Sequence, residues 1–364
     1  MKKIFVTAGI FIAALIVGIA VINNSEANTE VTTKTTRVGL ILNGFKDDKS
    51  WCQSHYEGLC RTAEELNLSV IYEESVLPED LPERIDEMVE QECEIIIAST
   101  FGYADGMMAA AEKYPDVTFF HATGVGERKN LTSYFGRMYQ MRYLCGVVAG
   151  LQTKTDKIGY VAAMPISEVN RGINAFALGA RSVNPDAEIY VSWTDSWTDD
   201  ESARQAAIRL LESQNIDILT LHTDSIAPLD AAEEYGVFSI GYNIDNSANY
   251  PDTYLTAATW DWECFYTSNI LKCLQSKFVG GHCWEGVSTG IVSLAPFTKN
   301  VDSGIAEAVE KEMDRLLSGT FDVFYGPIKD NSGALRVAAG ESMTDDSMLN
   351  SFDWYVEGVH ISDE

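Results

Sequence analysis

Positively charged residues are scarce in this sequence. Its 364 residues contain 26 Lys and Arg against 54 Asp and Glu, which gives a formal net charge of -28 at neutral pH. Such a charge repels nucleic acid and anionic lipid headgroups. We therefore expect no nucleic-acid partner and a ligand that is neutral or cationic. With 46% hydrophobic residues the chain can still bury a core, and its length favours two domains.

The sequence also lacks the motifs of nucleotide-using and catalytic proteins. It contains no P-loop and no GxGxxG motif, and Lys and Arg are rare at the predicted strand ends, which disfavours phosphorylated ligands. No Ser or Cys lies in a recognisable nucleophile elbow, and no dense array of acids follows the spacing of a metal site. His222 and Asp224 could imitate a catalytic pair, so a nucleoside hydrolase-type enzyme is the catalytic alternative. We expect a binding protein without a cofactor or metal, not an enzyme.

Cysteine spacing gives no sign of a disulfide framework. The seven cysteines are an odd number, and no CxxC motif is present. Cys52 and Cys60 lie on one predicted helix with a rise between them of about 12 Å, beyond the roughly 7 Å limit for a disulfide. We therefore expect most of the cysteines to be small buried residues.

One long hydrophobic run, residues 4–22, follows two lysines near the start of the sequence. It suits either a signal peptide cleaved near residue 27 or an uncleaved membrane anchor, because it is long enough to span a bilayer. Residues 28–36 are polar and predict a tether. We expect the rest of the chain to lie outside the cytoplasmic membrane, at the cell surface or in the periplasm.

From residue 37 to about residue 260, apolar runs alternate with helical segments, and no short-period repeat is visible. The first series holds the strands RVGLIL, LSVIY, EIIIA and VTFFH, and the second holds KIGYVAA, EIYVSW, DILTL and GVFSIGY. This order predicts an α/β protein with two parallel-sheet lobes joined by about three strands. We assign residues 37–153 and 255–282 to the first lobe, residues 154–254 and 283–350 to the second, and residues 351–364 to a C-terminal tail.

Polar and aromatic side chains cluster at the predicted carboxyl ends of the strands, where ligands of open α/β sheets bind. Flat rings can stack on a planar ligand, and carboxylates and amides can satisfy its polar edge. A simpler explanation exists for single positions, because a strand-end Trp can be a packing residue and an acid such as Asp47 can favour a helix start. A neutral planar heterocycle fits the set, and a monosaccharide is the closest rival. The candidate ligand-binding residues are Trp51, Asp47, Phe101, Tyr103, Asn170, Trp193, Trp197, Asp224, Asn243, Asp245 and Trp260.

Several segments together resemble one protein family. They include DDKSWCQSHYEGL, ASTFGYADGMMAAAEKYPDVTFFHATG, the long block TKTDKIGYVAAMPISEVNRGINAFALGA, SWTDSWTDD and TAATWDW, in that order. Residues 37–320 are in this way similar to the BMP family, the basic-membrane-protein or PnrA-like substrate-binding proteins of ABC transporters. The resemblance implies a type I periplasmic-binding fold with a multi-strand hinge, a purine base or nucleoside held between two lobes, and an ABC transporter permease as partner.

The resemblance also implies roles for individual residues. In the family an aromatic residue after the first strand stacks on the base, and Trp51 matches that position. An acidic residue after the last strand of the second lobe binds polar edges, and Asp245 or Asn243 matches it. Family members are commonly lipoproteins, but no cysteine precedes Cys52, so we expect anchoring through residues 4–22 without a lipid. We expect a monomer, and a signalling receptor remains an alternative to a transport protein.

Overall fold

The computed structural model describes residues 35–362. The expected signal peptide or anchor, and all but the last two residues of the expected tether, lie outside this part of the chain. Among residues 35–362, no helix is both long enough and apolar enough to cross a membrane. The description below therefore concerns the folded domain that follows the expected tether.

Strands and helices alternate along most of the described chain, as the hydrophobic pattern predicts. The first part contains β1 (Arg37–Ile41), α1 (Trp51–Leu66), β2 (Ser69–Glu73), α2 (Leu81–Glu90), β3 (Cys93–Ala98), α3 (Ala104–Lys113), β4 (Thr118–Ala122), β5 (Leu131–Gly136) and α4 (Tyr139–Gln152). The second part contains β6 (Lys157–Ala162), α5 (Ser167–Val183), β7 (Glu188–Trp193), α6 (Asp200–Ser213), β8 (Ile218–His222), α7 (Ala227–Tyr235), β9 (Phe238–Asn243) and β10 (Tyr254–Trp260). The last part contains α8 (Trp262–Leu274), β11 (Gly281–Glu285), β12 (Val292–Leu294), α9 (Ser303–Leu317), β13 (Ile328–Lys329), β14 (Leu335–Val337), α10 (Asp345–Asn350) and β15 (Val359–Ile361).

The strands form two large sheets, one in each lobe. The first sheet is parallel throughout and has the order β11-β5-β4-β3-β1-β2. The second has the order β12-β10-β9-β8-β6-β7-β15, and only β12 is antiparallel to its neighbour. Central strands such as β3 and β8 are buried at almost every position, because helices cover both faces of a parallel sheet. The predicted α/β class with two parallel-sheet lobes is confirmed.

The chain crosses between the two sheets three times, after β5, after β10 and after β11. The number of crossings agrees with the expected hinge of about three strands, but their positions differ from the expected ones. The first crossing lies before α4 rather than after it. The second lies after Trp260, several residues later than the expected boundary near residue 254, whereas the third lies after Glu285, close to the expected boundary near residue 282.

Helix α4 belongs to the second lobe, which corrects its assignment to residues 37–153 of the first. It is buried along almost its whole length and packs closely against α5. A Cβ on Gly146 would collide with the backbone carbonyl of Phe176, and one on Gly179 would collide with that of Tyr143. The two helix backbones therefore touch where neither carries a side chain.

Three further boundaries differ from the expected ones. Strand β10 pairs with β9 and is buried at every position, so it belongs to the second sheet and not to the first lobe. Strand β11 ends at Glu285 and pairs with β5, which extends the first lobe past residue 282. The expected tail is part of the second lobe, because β15 pairs with β7 and Phe352 is fully buried. For β11 and β15 the pairing strand is distant in sequence.

Candidate functional site

The carboxyl ends of strands from both lobes approach each other where the start of α1 meets the end of β9. Ser50, directly before α1, accepts a hydrogen bond at Oγ from Nδ2 of Asn243 at 2.8 Å. The Asp48 carboxylate of the first lobe also lies near enough to Asp224 of the second to raise the pKa of Asp224. We call this region the cleft, and it is bounded by Asp48, Trp51, Trp197 and Asp224.

The loop after β1 fixes the start of α1 through Asp48. Its carboxylate accepts hydrogen bonds from the backbone N–H groups of Ser50 at 2.8 Å, Cys52 at 2.8 Å and Gln53 at 3.0 Å. These donors would otherwise have no partner at the first turn of the helix. The neighbouring Asp47, which the sequence singled out, is exposed. The structure thus brings Asp48 rather than Asp47 to the cleft.

The indole of Trp51 joins the start of α1 to the end of β3. Its Nε1 donates to the carbonyl oxygen of Ser99 at 2.8 Å. The ring meets Trp260 and Trp262 edge to face, with centroid distances of 5.8 Å and 5.5 Å. Only 8% of the residue is exposed. Trp51 therefore has a packing role in addition to the ligand-stacking role that remains a prediction.

Asn43 is a cleft residue that was not among our candidates. It follows β1 and is exposed, and its Oδ1 accepts a hydrogen bond from the Ser99 hydroxyl at 2.9 Å. Ser99 Oγ in turn accepts from the backbone N–H of Asn43 at 3.3 Å. This pair of bonds fixes the amide so that Oδ1 faces Ser99, which leaves Nδ2 as the group able to donate to a ligand. Its place at a strand end was the only sequence signal for it.

Asp224 and Trp197 lie side by side on the second-lobe face of the cleft. The carbonyl oxygen of Trp197 accepts hydrogen bonds from the backbone N–H of Asp224 at 2.8 Å and from the Thr223 hydroxyl at 2.6 Å. Both side chains are half-buried. Burial raises the pKa of Asp224 well above its usual range, and the carboxylates of Asp48 and Glu168 raise it further. The backbones of Trp197 and Asp224 are thereby held next to each other.

Glu168 is a second acid of this face, in the first turn of α5. Its Oε1 lies 3.9 Å from Nε2 of His222, whose Nδ1 is 3.1 Å from the Tyr160 hydroxyl. Burial raises the pKa of Glu168. Burial also lowers the pKa of His222 well below its usual range, and two buried arginines lower it further, so the imidazole is neutral. The Glu168–His222 contact is therefore not an ion pair at neutral pH.

The two arginines near the cleft are buried and each donates to a backbone carbonyl, but within the described part of the chain Nε and Nη1 of Arg142 have no hydrogen-bond partner. Arg142 donates from Nη2 to the carbonyl oxygen of Leu221 at 2.7 Å, and its guanidinium lies 4.0 Å from the centre of the Tyr242 ring. Arg171 donates to the carbonyl oxygen of Met348 at 2.5 Å. Neither is exposed enough to meet an anionic ligand. Arg142 lies in the first turn of α4 and not at a strand end, so no strand-end pattern indicated its position.

Asn243 and Trp260, both candidates, lie next to the cleft and bond to each other. Trp260 Nε1 donates to Asn243 Oδ1 at 2.9 Å. Asn243 Nδ2 donates to Asp224 Oδ1 at 2.8 Å as well as to Ser50. Both hydrogens of the amide and one side of its oxygen therefore have protein partners, although the sequence predicted a ligand contact.

Two other candidates have structural partners away from the cleft. Tyr103 is 1% exposed and donates from its hydroxyl to the carbonyl oxygen of Val76 at 2.6 Å. Asn170 is buried, donates to the carbonyl oxygen of Phe352 at 2.9 Å and accepts from the Tyr355 hydroxyl at 2.9 Å. Tyr103 thus stabilises the loop after β2, and Asn170 holds the C-terminal segment on α5. These contacts give both residues a structural role, and their contact with a ligand stays a prediction.

The remaining candidates lie at the periphery. Asp245 is exposed, accepts from the backbone N–H of Ser247 at 2.9 Å, and lines a separate groove of about 220 Å³ beside α1. Trp193 is half-buried at the end of β7, one strand further out than β6, and packs on the core. Phe101 is 59% exposed in the short 3₁₀ helix after β3. Of the two aromatic residues, Phe101 is the more exposed.

No metal site is evident in the described part of the chain. Among residues 35–362, no group of three or more His, Cys, Asp or Glu side chains is arranged to hold a metal ion. All seven cysteines lie in this range and are unpaired, three of them buried and four half-buried.

Sequence comparison identifies the family of this chain. Residues 35–320 match the profile described as ABC transporter substrate-binding protein PnrA-like. A purine-binding protein of Brucella abortus is 35% identical over 326 residues, which cover 89% of this chain and 92% of the relative. A protein of Haloferax volcanii, whose name proposes glucose binding for an ABC transporter, is 35% identical over 313 residues, covering 86% of this chain and 77% of the relative.

Solved structures agree at the level of the fold. A solute-binding protein of an ABC transporter system from Conexibacter woesei superposes with a TM-score of 0.69 at 20% identity, covering 79% of this chain and 98% of the other. One from Aeropyrum pernix gives 0.70 at 18% identity, covering 86% and 95%. They confirm the type I periplasmic-binding architecture. The chain therefore belongs to the PnrA-like family of ABC transporter substrate-binding proteins, which act outside the cytoplasm and bind solutes rather than catalyse reactions.

Proposed function

We propose that this protein captures a purine base or nucleoside in the cleft, as a monomer, and delivers it to an ABC transporter permease. The observation that carries the proposal is the composition of the cleft. It combines the rings of Trp51 and Trp197 with the carboxylates of Asp48, Glu168 and Asp224, while the nearby arginines are buried. A flat, neutral ligand with hydrogen-bond donors on its edge complements this surface.

Each part of a purine has a matching group. Stacking a base on an aromatic side chain contributes ~1–3 kcal/mol. The carboxylate of Asp224 can accept from a ring N–H or a ribose hydroxyl, and Nδ2 of Asn43 can donate to a ring nitrogen or carbonyl. A phosphate would meet the carboxylates of this surface, while Arg142 and Arg171 are buried, so phosphorylated nucleotides are disfavoured.

The two relatives point to different ligands. The Brucella relative is named for purine binding and the Haloferax relative for glucose binding, at the same 35% identity. A sugar also stacks on Trp and bonds to carboxylates. A signalling receptor built on the same domain is a further alternative. We favour a purine over a sugar for two reasons. The cleft has several rings around it, and the family that the segment around Trp51 resembles uses an aromatic residue at this position to stack on a base.

The test is a calorimetric titration of the purified protein after bound cargo has been removed by unfolding and refolding. We expect hypoxanthine, guanine, adenine or their nucleosides to bind with a dissociation constant of roughly 1 μM or below, and their 5′-monophosphates and glucose to bind far more weakly. Mass spectrometry of the removed cargo supplies an independent answer. Tight glucose binding without purine binding would contradict the proposal, and released free base from a nucleoside would indicate an enzyme.

We also propose that residues 4–22 hold the domain at the outer face of the cytoplasmic membrane without a lipid. The run is uncharged, and no cysteine precedes Cys52 to receive a fatty acid. Fractionation should find the protein with the membrane, and labelling with radioactive palmitate should give no signal, whereas release of the domain by cleavage of the run would show that it is a signal peptide. Full-length protein in the cytoplasmic fraction would contradict this proposal.

A further inference from the structure

The side chain of Asn243 has no capacity left for a donor contact to a ligand. Its Nδ2 donates to Asp224 Oδ1 and to Ser50 Oγ, both at 2.8 Å, and its Oδ1 accepts from Trp260 Nε1 at 2.9 Å. The residue is fully buried. Both hydrogens of this amide already donate to protein groups. The side chain therefore holds other groups in position and does not donate to a ligand.

Its three partners come from different parts of the fold. Ser50 directly precedes α1 of the first lobe, Asp224 follows β8 of the second, and Trp260 ends β10 just before a crossing of the hinge. The bond to Ser50 therefore joins the two lobes. Ser50 is 1% exposed, so both ends of this bond are hidden from water.

A second asparagine makes a parallel contact three residues later. Asn246 Nδ2 donates to the carbonyl oxygen of Lys49 at 3.1 Å, and Asn246 is also buried. The loop after β9 thus holds two consecutive residues of the first lobe. Asp48, and not Ser50, caps α1, because the Ser50 hydroxyl makes no cap hydrogen bond. The Ser50 hydroxyl instead accepts from Asn243.

The backbone at both sides of the contact is unusual. Lys49 has φ of +58° and Asn243 has φ of +68°, in the left-handed region. Asn adopts this region more readily than most residues, whereas Lys does so at a cost. Such conformations persist where surrounding contacts determine them, which is consistent with a contact that has a specific task.

We propose that Asn243 and Asn246, together with Lys49 and Ser50, form an interlobe latch that holds the cleft closed over its ligand. The proposal rests on the cleft being the ligand site. Opening the lobes breaks both contacts and exposes their polar groups to water. The same amide also orients Asp224. Binding of a ligand to Asp224 therefore favours closure of the lobes, and closure favours binding. Asn243 is then a positioning residue.

The direct test is Ser50→Ala, which removes one of the two contacts of the latch and leaves Asp48 to cap α1. We expect hypoxanthine to dissociate roughly 2- to 10-fold faster, as for the loss of one hydrogen bond, with little change in its association rate. Stopped-flow tryptophan fluorescence gives both rates. Ser303→Ala is the matched control, because Ser303 is an exposed serine at the start of α9. Dissociation rates equal to those of Ser303→Ala would overturn the latch.

A second measurement does not depend on which ligand binds. Small-angle X-ray scattering of the ligand-free protein should show a larger radius of gyration for Ser50→Ala combined with Asn246→Ala than for the parent or Ser303→Ala. Scattering curves that coincide would overturn the latch even if purines bind tightly. If no purine binds but the double variant opens, the proposed function fails while the latch stands.

Discussion

Replacing Asp224 with Asn should weaken purine binding and, at the same time, raise the melting temperature of the ligand-free protein at neutral pH. The amide keeps the shape of the carboxyl and can still accept from Asn243, but it removes a charge that burial and two neighbouring acids disfavour. Losing a charge-assisted hydrogen bond to the ligand costs ~1.5–3 kcal/mol, or about 10- to 150-fold in affinity. Binding and stability then change in opposite directions, which a simple packing residue would not produce.

The pH dependence of stability follows from the same carboxyl group. In the unfolded chain Asp224 ionises near its ordinary pKa, whereas in the folded cleft its pKa is raised. Between the two values the folded protein holds a proton that the unfolded chain releases. This contribution to stability is fully present below the ordinary pKa and is lost as pH rises through the folded pKa. Thermal unfolding of the parent should show this loss, and Asp224→Asn should remove it.

Asp245→Asn is the comparison for this experiment. The Asp245 carboxylate is exposed and accepts from Ser247 in the groove beside α1. We expect its replacement to leave the melting temperature and purine affinity close to those of the parent. If Asp245→Asn instead weakens binding as strongly as Asp224→Asn, the ligand extends to the acid that the family resemblance indicated. Unchanged affinity in Asp224→Asn would remove Asp224 from the site.

The alternation of strands and helices was predictable, but the partner of each element was not. Strands β1 to β4 and β6 to β9 appear in the sequence as apolar runs between helical segments, and the α/β class follows from them. Helix α4 lies between two series and is apolar on most of its surface, so its pattern does not say which sheet it covers. The close approach at Gly146 and Gly179 decides that question, and it depends on two segments more than thirty residues apart.

The C-terminal part was the least predictable for a related reason. Strands β12 to β15 have two or three residues each, too few for a hydrophobic period to be visible. They form because other strands offer them a partner. Asn170 and Asn174 show the same dependence, since they bond to backbone groups of Phe352, Trp354 and Val356 from α5.

Within the site, the strand-end rule located residues but not the directions of their side chains. It selected Trp51, Trp197, Asp224 and Asn243, which the structure brings to one region. It also selected Tyr103, whose hydroxyl is directed to Val76 in another loop. The direction of each side chain depends on its hydrogen-bond partners. For Asn243 these include Asp224, 19 residues away in the chain, and Ser50, 193 residues away. No local pattern contains that information.

Replacing Trp51 with Ala should have the largest combined effect on stability and binding. The indole fills the space between α1, β3 and the rings of Trp260 and Trp262, and its Nε1 bonds to Ser99. Emptying that space costs ~3–5 kcal/mol of the free energy of unfolding. Loss of the stacking surface should weaken purine binding by ~1–3 kcal/mol, which is roughly 5- to 150-fold. Urea unfolding and calorimetric titration at a temperature where the variant is fully folded measure the two effects separately.

Trp262→Ala separates packing from stacking. Trp262 is fully buried, donates from Nε1 to Ser54 Oγ at 2.9 Å, and contacts the same rings as Trp51. Its loss should destabilise the protein by a similar amount, while purine affinity should stay within about threefold of the parent, because no atom of Trp262 is exposed at the cleft. Trp51→Phe should retain most of the affinity, since a ring remains to stack. If Trp51→Ala binds purines no more weakly than Trp262→Ala, Trp51 acts only through packing, and the ring that stacks on the ligand must be sought at Trp197 or Phe101.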